Sequence, residues 1–161
     1  MSAADVSMTP AVRVLKDKGA DFTIRVYRYE EHGGTSVAAR ELNVDEHAVI
    51  KTLVFETDGR APLLVLMRGD REVSARQLAR VLGVKSVTPC SPAAAERHTG
   101  YQVGGISPFG TRKKLPVYME RTLADFPRVW INAGKRGQLA EMAPSELLRI
   151  LEPALVDVAI I

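Results

Sequence analysis

Alternating and clustered hydrophobic residues divide the chain into many short segments. Phe22, Ile24 and Val26 alternate with polar neighbours, which predicts a half-buried strand. The runs 50–57 and 62–67 are apolar and rich in β-formers, and Asp58-Gly59 between them predicts a hairpin. Further short strands are expected where similar apolar runs recur, at 84–88, 115–119, 128–132, 138–142 and 155–160.

Helices are predicted from capping residues next to amphipathic runs. Thr9-Pro10 begins a helix that Gly19 ends, and Ser74 caps a helix over 75–82 that Gly83 ends. The other helices are expected to begin at Ser36, Ser91-Pro92 and Pro144. Strands and helices are interspersed without regular alternation, so the pattern favours an α+β domain with a mixed, strongly curved sheet covered by helices.

Length and composition indicate one globular domain. The chain has 161 residues, of which 46% are hydrophobic and 25% charged, enough to bury a core. We expect residues 1–8 to form a flexible leader and residues 9–161 a single domain. The N-terminus lacks a secretory signal and no apolar run approaches a membrane span, so a cytoplasmic protein without a membrane partner is predicted.

Side chains that usually carry catalysis form no familiar motif. GxSxG, HExxH, Walker and GxGxxG patterns are missing from the sequence. The single cysteine, Cys90, lacks companions at metal-ligand spacing and is interpreted as structural rather than nucleophilic. His32, His47 and His98 fall in predicted polar loops or at helix ends, where histidines are usually solvated, and we assign them no role. No metal and no cofactor are predicted.

Lys51 is the first candidate for a ligand-binding side chain. It lies at the start of the apolar strand 50–57, where an inward-facing charge would be costly unless it served a ligand. A lysine at a strand end can also extend its ammonium group to solvent. The residues alone leave both interpretations open.

Two glycine-containing segments are further candidates. Segment 99–110 holds four glycines and a proline among apolar residues, so its backbone N–H groups can approach a ligand closely. The turn from Asn132 to Gly137 combines glycines with basic residues and suits phosphate or carbonyl oxygens. An ordinary loop and an ordinary hairpin are the alternatives. With a pI of about 9.2, the basic runs 112–114 and 135–136 also keep a simple anion-binding domain open.

Taken in order, these motifs resemble the YbaK family, free-standing relatives of the editing insertion domain of bacterial prolyl-tRNA synthetases. The resemblance spans nearly the whole chain and implies a mixed, barrel-like sheet surrounded by helices, in agreement with the α+β prediction. Its motifs are Met8-Thr9-Pro10-Ala11, Tyr29-Glu30, Lys51-Thr52-Leu53, Thr99-Gly100-Tyr101, Val103-Gly104-Gly105-Ile106-Ser107-Pro108 and Gly134-Lys135-Arg136-Gly137.

The resemblance also implies a site. Lys51 would be the essential lysine, Gly104 and Pro108 would bracket a GxxxP substrate loop, and Lys51, Gly104 and Gly105 would be the catalytic residues. Substrate-binding roles are implied for nine residues of the same motifs: Tyr29, Thr52, Ile106, Ser107, Pro108, Asn132, Gly134, Lys135 and Arg136. The chain departs from YbaK itself at Asn132, which replaces a serine, and after Tyr29, where the loop is shorter and lacks a phenylalanine.

The implied activity is trans-editing, the hydrolysis of the ester of a mischarged tRNA bound by its acceptor end. Such an activated ester needs positioning and oxyanion stabilisation more than a strong protein nucleophile. Cys-tRNA(Pro) is the first candidate substrate, with the cysteine's own thiol attacking the ester, and prolyl-tRNA synthetase is the expected protein partner. The alternatives are Ala-tRNA(Pro) or another mischarged tRNA, and a non-catalytic module that binds tRNA or a synthetase.

Overall fold

The computed structural model describes residues 6–160. Residues 1–5 of the expected leader lie outside this range. Ser7, near its end, is hydrogen-bonded to the domain: its N–H donates to Gln138 Oε1 over 2.8 Å, and Gln138 Nε2 donates to the Ser7 carbonyl over 3.0 Å. Within residues 6–160 no helix is long and apolar enough to cross a membrane.

Five α-helices follow one another along the described chain. They are α1 (Pro10–Asp17), α2 (Gly34–Leu42), α3 (Ala75–Leu82), α4 (Pro92–Thr99) and α5 (Pro144–Leu151), with 3₁₀ turns at Glu46–Ala48 and Arg121–Asp125. The predicted caps are present in three of them, where Thr9, Ser74 and Ser91 each accept a hydrogen bond from a backbone N–H of the first turn. These local signals explain why α1, α3 and α4 begin where the sequence predicts.

Ten strands form three hydrogen-bonded sheets in the described chain. The strands are β1 (Phe22–Val26), β2 (Ile50–Thr57), β3 (Pro62–Arg68), β4 (Glu72–Val73), β5 (Val87–Pro89), β6 (Val117–Glu120), β7 (Val129–Lys135), β8 (Gln138–Met142), β9 (Ala154–Val156) and β10 (Ala159–Ile160). The largest sheet has the order β5-β2-β3-β6-β9 and is mixed, because β2 runs antiparallel to β3 and β5 whereas β3, β6 and β9 are parallel. The other sheets are β1-β8-β7 and β10-β4. The α+β class with a mixed sheet is confirmed, and the strands of residues 6–160 do not close into one barrel.

The central strand β3 is covered on both faces, which explains its continuous apolar sequence. Leu66 packs on one side in the largest core cluster, together with Leu15 of α1 and Leu147 of α5. Val65 and Met67 point to the other side and pack with Leu78 of α3. Helices on both sides thereby hold the large sheet in place.

Several sequence predictions are wrong in their bounds, and three of them differ most. Helix α2 begins at Gly34 and not at Ser36, and the strand expected at 84–88 is Val87–Pro89. The single edge strand expected over 155–160 is two strands: β9 pairs with β6, and β10 pairs with β4 in another sheet. Tertiary pairing decides these segments, and their local sequence does not contain it.

Candidate functional site

The site lies where two neighbouring strands separate. Val49 and Trp130 form a parallel bridge just before β2, but the register of β7 then shifts between Asn132 and Lys135. A bulge of this kind bends its strand. The free edge of β2 is paired again only at Phe55, which lies opposite Pro89 of β5. Between these points the edge of β2 borders a cleft of about 750 Å³.

The cleft brings together seven of the twelve predicted site residues. They are Tyr29, Lys51, Thr52, Gly104, Ile106, Asn132 and Arg136. The other five do not line it: Gly105, Ser107 and Pro108 are buried, Gly134 is partly buried, and Lys135 is exposed and directs its Nζ to Ser7 Oγ. Ser107, for example, is fully buried and its hydroxyl accepts a hydrogen bond from Phe109 N. Ser107 therefore stabilises the glycine loop, residues 103–108, from within and does not form part of the cleft surface.

Lys51 reaches the cleft with its ammonium group already held by the protein. Its Nζ donates to the Arg71 carbonyl over 2.8 Å and to Glu72 Oε1 over 2.9 Å. The lysine side chain is 20% exposed, whereas that of Glu72 is 76% exposed. An ammonium group has three N–H donors, so one is left for a ligand. Sequence reasoning missed Glu72, because the two-residue strand β4 gives no periodic signal.

The hydroxyl of Thr52 is a buried polar group in the cleft wall. Its Oγ1 has no hydrogen-bond partner among residues 6–160. Leaving a buried hydroxyl unpaired costs about 1–3 kcal/mol. A ligand that supplied a polar atom here would recover that free energy.

The glycine loop approaches its neighbours so closely that side chains would not fit. A Cβ atom at Gly104, where φ is +93°, would lie 2.6 Å from the Tyr29 hydroxyl. The Gly105 N–H donates to the Gln102 carbonyl over 2.8 Å, within the loop's own turn. Among the described residues, no hydrogen bond uses the N–H groups of Gly104 and Ile106. The N–H groups of Gly104 and Ile106 are therefore available to a ligand, whereas that of Gly105 is used within the loop.

Asn132 fastens the glycine loop to the bulge of β7. Its Nδ2 donates to the Gly104 carbonyl over 3.1 Å and to the Lys135 carbonyl over 3.3 Å. Its Oδ1 accepts from the N–H groups of Gly134 at 2.7 Å and Lys135 at 3.2 Å. The side-chain amide is thus fully engaged, so its first role is to hold the position of Gly104.

Replacing Asn132 with alanine is expected to lower the free energy of unfolding by about 2 kcal/mol, because buried partners lose their hydrogen bonds. Urea denaturation measures this loss. Asn132→Asp is the matched variant: it keeps acceptor oxygens for Gly134 and Lys135 but no longer donates to the Gly104 carbonyl. Its loss should be at least as large, because a buried carboxylate oxygen would face the carbonyl oxygens of Gly104 and Lys135. Unchanged stability in Asn132→Ala would contradict the fastening role.

Arg136 supplies a second positive charge to the cleft. Its Nε donates to the Val103 carbonyl over 2.8 Å, and its guanidinium carbon lies 5.1 Å from the centre of the Tyr29 ring. This geometry fits a cation–π contact. Tyr29, Arg136 and the glycine loop therefore brace one another at the cleft wall, as their shared presence in the motifs predicts.

The surroundings of Cys90 agree with its sequence prediction, whereas those of His98 do not. Burial raises the pKa of the Cys90 thiol, and the nearby Glu56 carboxylate raises it further. A protonated thiol is a poor nucleophile, which agrees with the structural interpretation of Cys90. The prediction of a solvated His98 is wrong, because this side chain is only 7% exposed. Burial lowers the pKa of His98, with the charge of Lys113 acting in the same direction.

Comparisons with known proteins identify relatives of this chain. EbsC of Enterococcus faecalis, which carries the provisional name Cys-tRNA(Pro)/Cys-tRNA(Cys) deacylase, is 31% identical over 121 residues, covering 75% of this chain and 74% of that protein. The proline–tRNA ligase of Levilactobacillus brevis is 26% identical over 133 residues, which are 81% of this chain but only 23% of the ligase. The chain thus matches about a quarter of that enzyme.

The fold is also similar to that of a solved structure. A crystal structure of a protein provisionally described as a trans-editing enzyme for prolyl tRNA synthetase superposes with a TM-score of 0.84 at 23% identity, covering 96% of this chain and 99% of that one. The family model for the aminoacyl-tRNA editing domain matches residues 30–150, which include the cleft residues from Lys51 to Arg136 but not Tyr29. This match and the similarity to EbsC confirm the resemblance to the YbaK family, and the chain belongs to the aminoacyl-tRNA editing domain family.

Proposed function

We propose that this protein is a trans-editing deacylase that hydrolyses the ester of mischarged aminoacyl-tRNA, with Cys-tRNA(Pro) as its substrate. The observation that carries the proposal is the cleft beside the free edge of β2, which gathers Lys51, Thr52 and the Gly104 loop in a chain of the editing family. The similarity of this chain to EbsC and to proline–tRNA ligases supports tRNA(Pro) as the tRNA of the proposed substrate. Prolyl-tRNA synthetase is the protein partner that this substrate requires, because it makes the mischarged tRNA.

In this mechanism the protein positions an ester that is already reactive. The N–H groups of Gly104 and Ile106 donate to the oxygen on which negative charge develops, and preorganised donors of this kind contribute a large part of the rate of acyl transfer. The free N–H donor of Lys51 binds the terminal nucleotide or adds positive charge near the reacting carbon. Both loop and lysine are held before substrate arrives, by Asn132 and Glu72 respectively.

The nucleophile comes from the substrate or from water. With a cysteinyl ester, the thiol of the cysteine attacks its own carbonyl carbon, and the tRNA 3′-terminal oxygen leaves with the thiol proton. Water then opens the cyclic thioester and gives free cysteine. The raised pKa of Cys90 keeps the protein's thiol protonated and agrees with this assignment. The hydroxyl of Thr52 is available for a polar group of the aminoacyl moiety, since Oγ1 has no partner among residues 6–160.

The test is a panel of tRNA(Pro) charged with cysteine, alanine, serine or proline. We expect Cys-tRNA(Pro) to be deacylated about 100-fold faster than Pro-tRNA(Pro), since an editing site must spare the cognate product. Release of radiolabelled amino acid under single-turnover conditions measures each rate, with and without prolyl-tRNA synthetase.

The same panel separates the alternatives. A preference for Ala-tRNA(Pro) would keep the deacylase but replace its substrate and require water as the nucleophile. Salt-sensitive tRNA binding without cleavage of any ester would overturn the deacylase and favour a non-catalytic module that uses the basic residues.

A further inference from the structure

Three potential metal ligands converge next to the cleft, from parts of the sequence that show no metal-binding spacing. Glu56 lies near the end of β2, Cys90 directly follows β5, and His98 lies in the last turn of α4. One ligand atom from each, a carboxylate oxygen, the thiol sulfur and an imidazole nitrogen, lie within 4.8 Å of one another. The proposed deacylation uses none of these three side chains.

The backbone around the cluster is well fixed. Glu56 pairs with Thr88 of β5, and Cys90 N donates to the Val54 carbonyl over 2.9 Å. Ser91, the next residue, caps α4 by accepting a hydrogen bond from Ala94 N. His98 is buried, and Cys90 and Glu56 are partly buried. Ligands carried by regular elements and partly shielded from solvent are preorganised for a bound ion.

We propose that Glu56, Cys90 and His98 form a binding site for Zn²⁺. Zinc accepts sulfur, nitrogen and oxygen ligands with bonds of about 2.0–2.3 Å, so tetrahedral ligand atoms lie roughly 3.3–3.6 Å apart. To reach that spacing, the three atoms must approach one another by at most about 1.5 Å. Three protein ligands leave the fourth position to water or to another small ligand. Cys90 lines the cleft, so the ion lies beside the wall that the substrate meets.

Zinc binding at this cluster exchanges protons for the metal. The Cys90 thiol must lose its proton to bind the ion, because thiolate sulfur is the metal ligand. Zinc binding forms the Zn–S bond and releases that proton to the buffer. His98 would bind through a ring nitrogen of the neutral imidazole.

Lys113 is the competitor for this site. Its Nζ lies 3.1 Å from His98 Nδ1, so in this arrangement Nδ1 accepts and the ring proton is on Nε2. A metal bound at Nδ1 displaces the Lys113 ammonium group, and a metal bound at Nε2 displaces the ring proton. Lys113 is exposed and free to turn toward solvent. Its charge therefore weakens zinc binding without blocking it.

Titration of the whole chain with Co²⁺, in the absence of tRNA, tests the site. We expect one equivalent to bind and to produce a thiolate-to-cobalt charge-transfer band that excess Zn²⁺ removes. Cys90→Ser should abolish the band. His98→Asn and Glu56→Gln should each weaken binding by about tenfold or more. His47→Asn is the control, since the His47 ring contacts Phe126, outside the cluster, at a tilted angle.

Lys113→Met gives the prediction of opposite sign: Zn²⁺ binding should tighten by about tenfold, the effect of about 1.4 kcal/mol of removed repulsion.

A second measurement needs no variant, because bound Zn²⁺ should protect Cys90 from alkylation. The site is overturned if no charge-transfer band appears, if the band survives in Cys90→Ser, or if Zn²⁺ leaves alkylation unchanged. None of these readouts depends on deacylase activity, so the site and the proposed function stand or fall separately.

Discussion

Replacing Lys51 with alanine is expected to lower the single-turnover deacylation rate by about 100- to 1,000-fold, the loss typical of removing one preorganised donor from a developing charge. The reason is its place at the edge of β2, where the lysine side chain is only 20% exposed and its ammonium group is aligned by Arg71 O and Glu72. A charge held in a partly desolvated cleft acts more strongly than one in water. The rate is measured on Cys-tRNA(Pro) with enzyme in excess.

Three further variants define what the lysine does. Lys85→Ala removes an exposed lysine between α3 and β5 and should leave the rate unchanged. Lys51→Arg keeps the charge but changes its shape, and should recover only part of the rate. Glu72→Gln keeps the lysine and loosens its alignment, so its rate should fall between those of wild type and Lys51→Ala. Full activity in Lys51→Ala, with a normal circular dichroism spectrum, would remove Lys51 from the mechanism.

Helix α3 shows how much of the fold its sequence predicts. Ser74 caps it and Gly83 ends it in the left-handed conformation, so both ends follow from local chemistry and match the prediction. The hairpin of β2 and β3 is equally local, with Asp58-Gly59 between two apolar runs. Strand β9 is different. It joins β6 in parallel, a long-range pairing that no pattern within residues 154–156 reveals.

In the candidate site, too, some features follow from local sequence and others depend on how separate elements pack. The motifs predict that Lys51, Gly104 and Arg136 belong together, and they line one cleft. The motifs do not predict which backbone N–H groups are free, because this depends on the turn in which Gly105 donates to Gln102. They also miss the contact of Lys51 with Glu72 and the burial of His98, since both depend on how separate elements pack.

The position of the glycine loop is the second feature on which the proposed activity depends. A Cβ atom at Gly105 would lie 2.9 Å from Arg136 N and 3.0 Å from the carbonyl carbon of Lys135. These are backbone atoms, so they cannot rotate away. The loop itself would have to move, stretching the hydrogen bonds from Asn132 to the Gly104 carbonyl and from Arg136 to the Val103 carbonyl.

Gly105→Ala is therefore expected to lower the deacylation rate by about 100-fold, since a displacement near 1 Å in a positioned site costs about that factor. Overpacking should also lower the free energy of unfolding by about 1–3 kcal/mol, measured by urea denaturation. Gly59→Ala is the matched control, because its Cβ would meet only Thr57 Oγ1 at 3.7 Å in a distant hairpin. If both alanine variants were equally active, the donors that stabilise the reacting ester would have to lie outside the glycine loop, and Lys51 would be left as the principal electrostatic contribution.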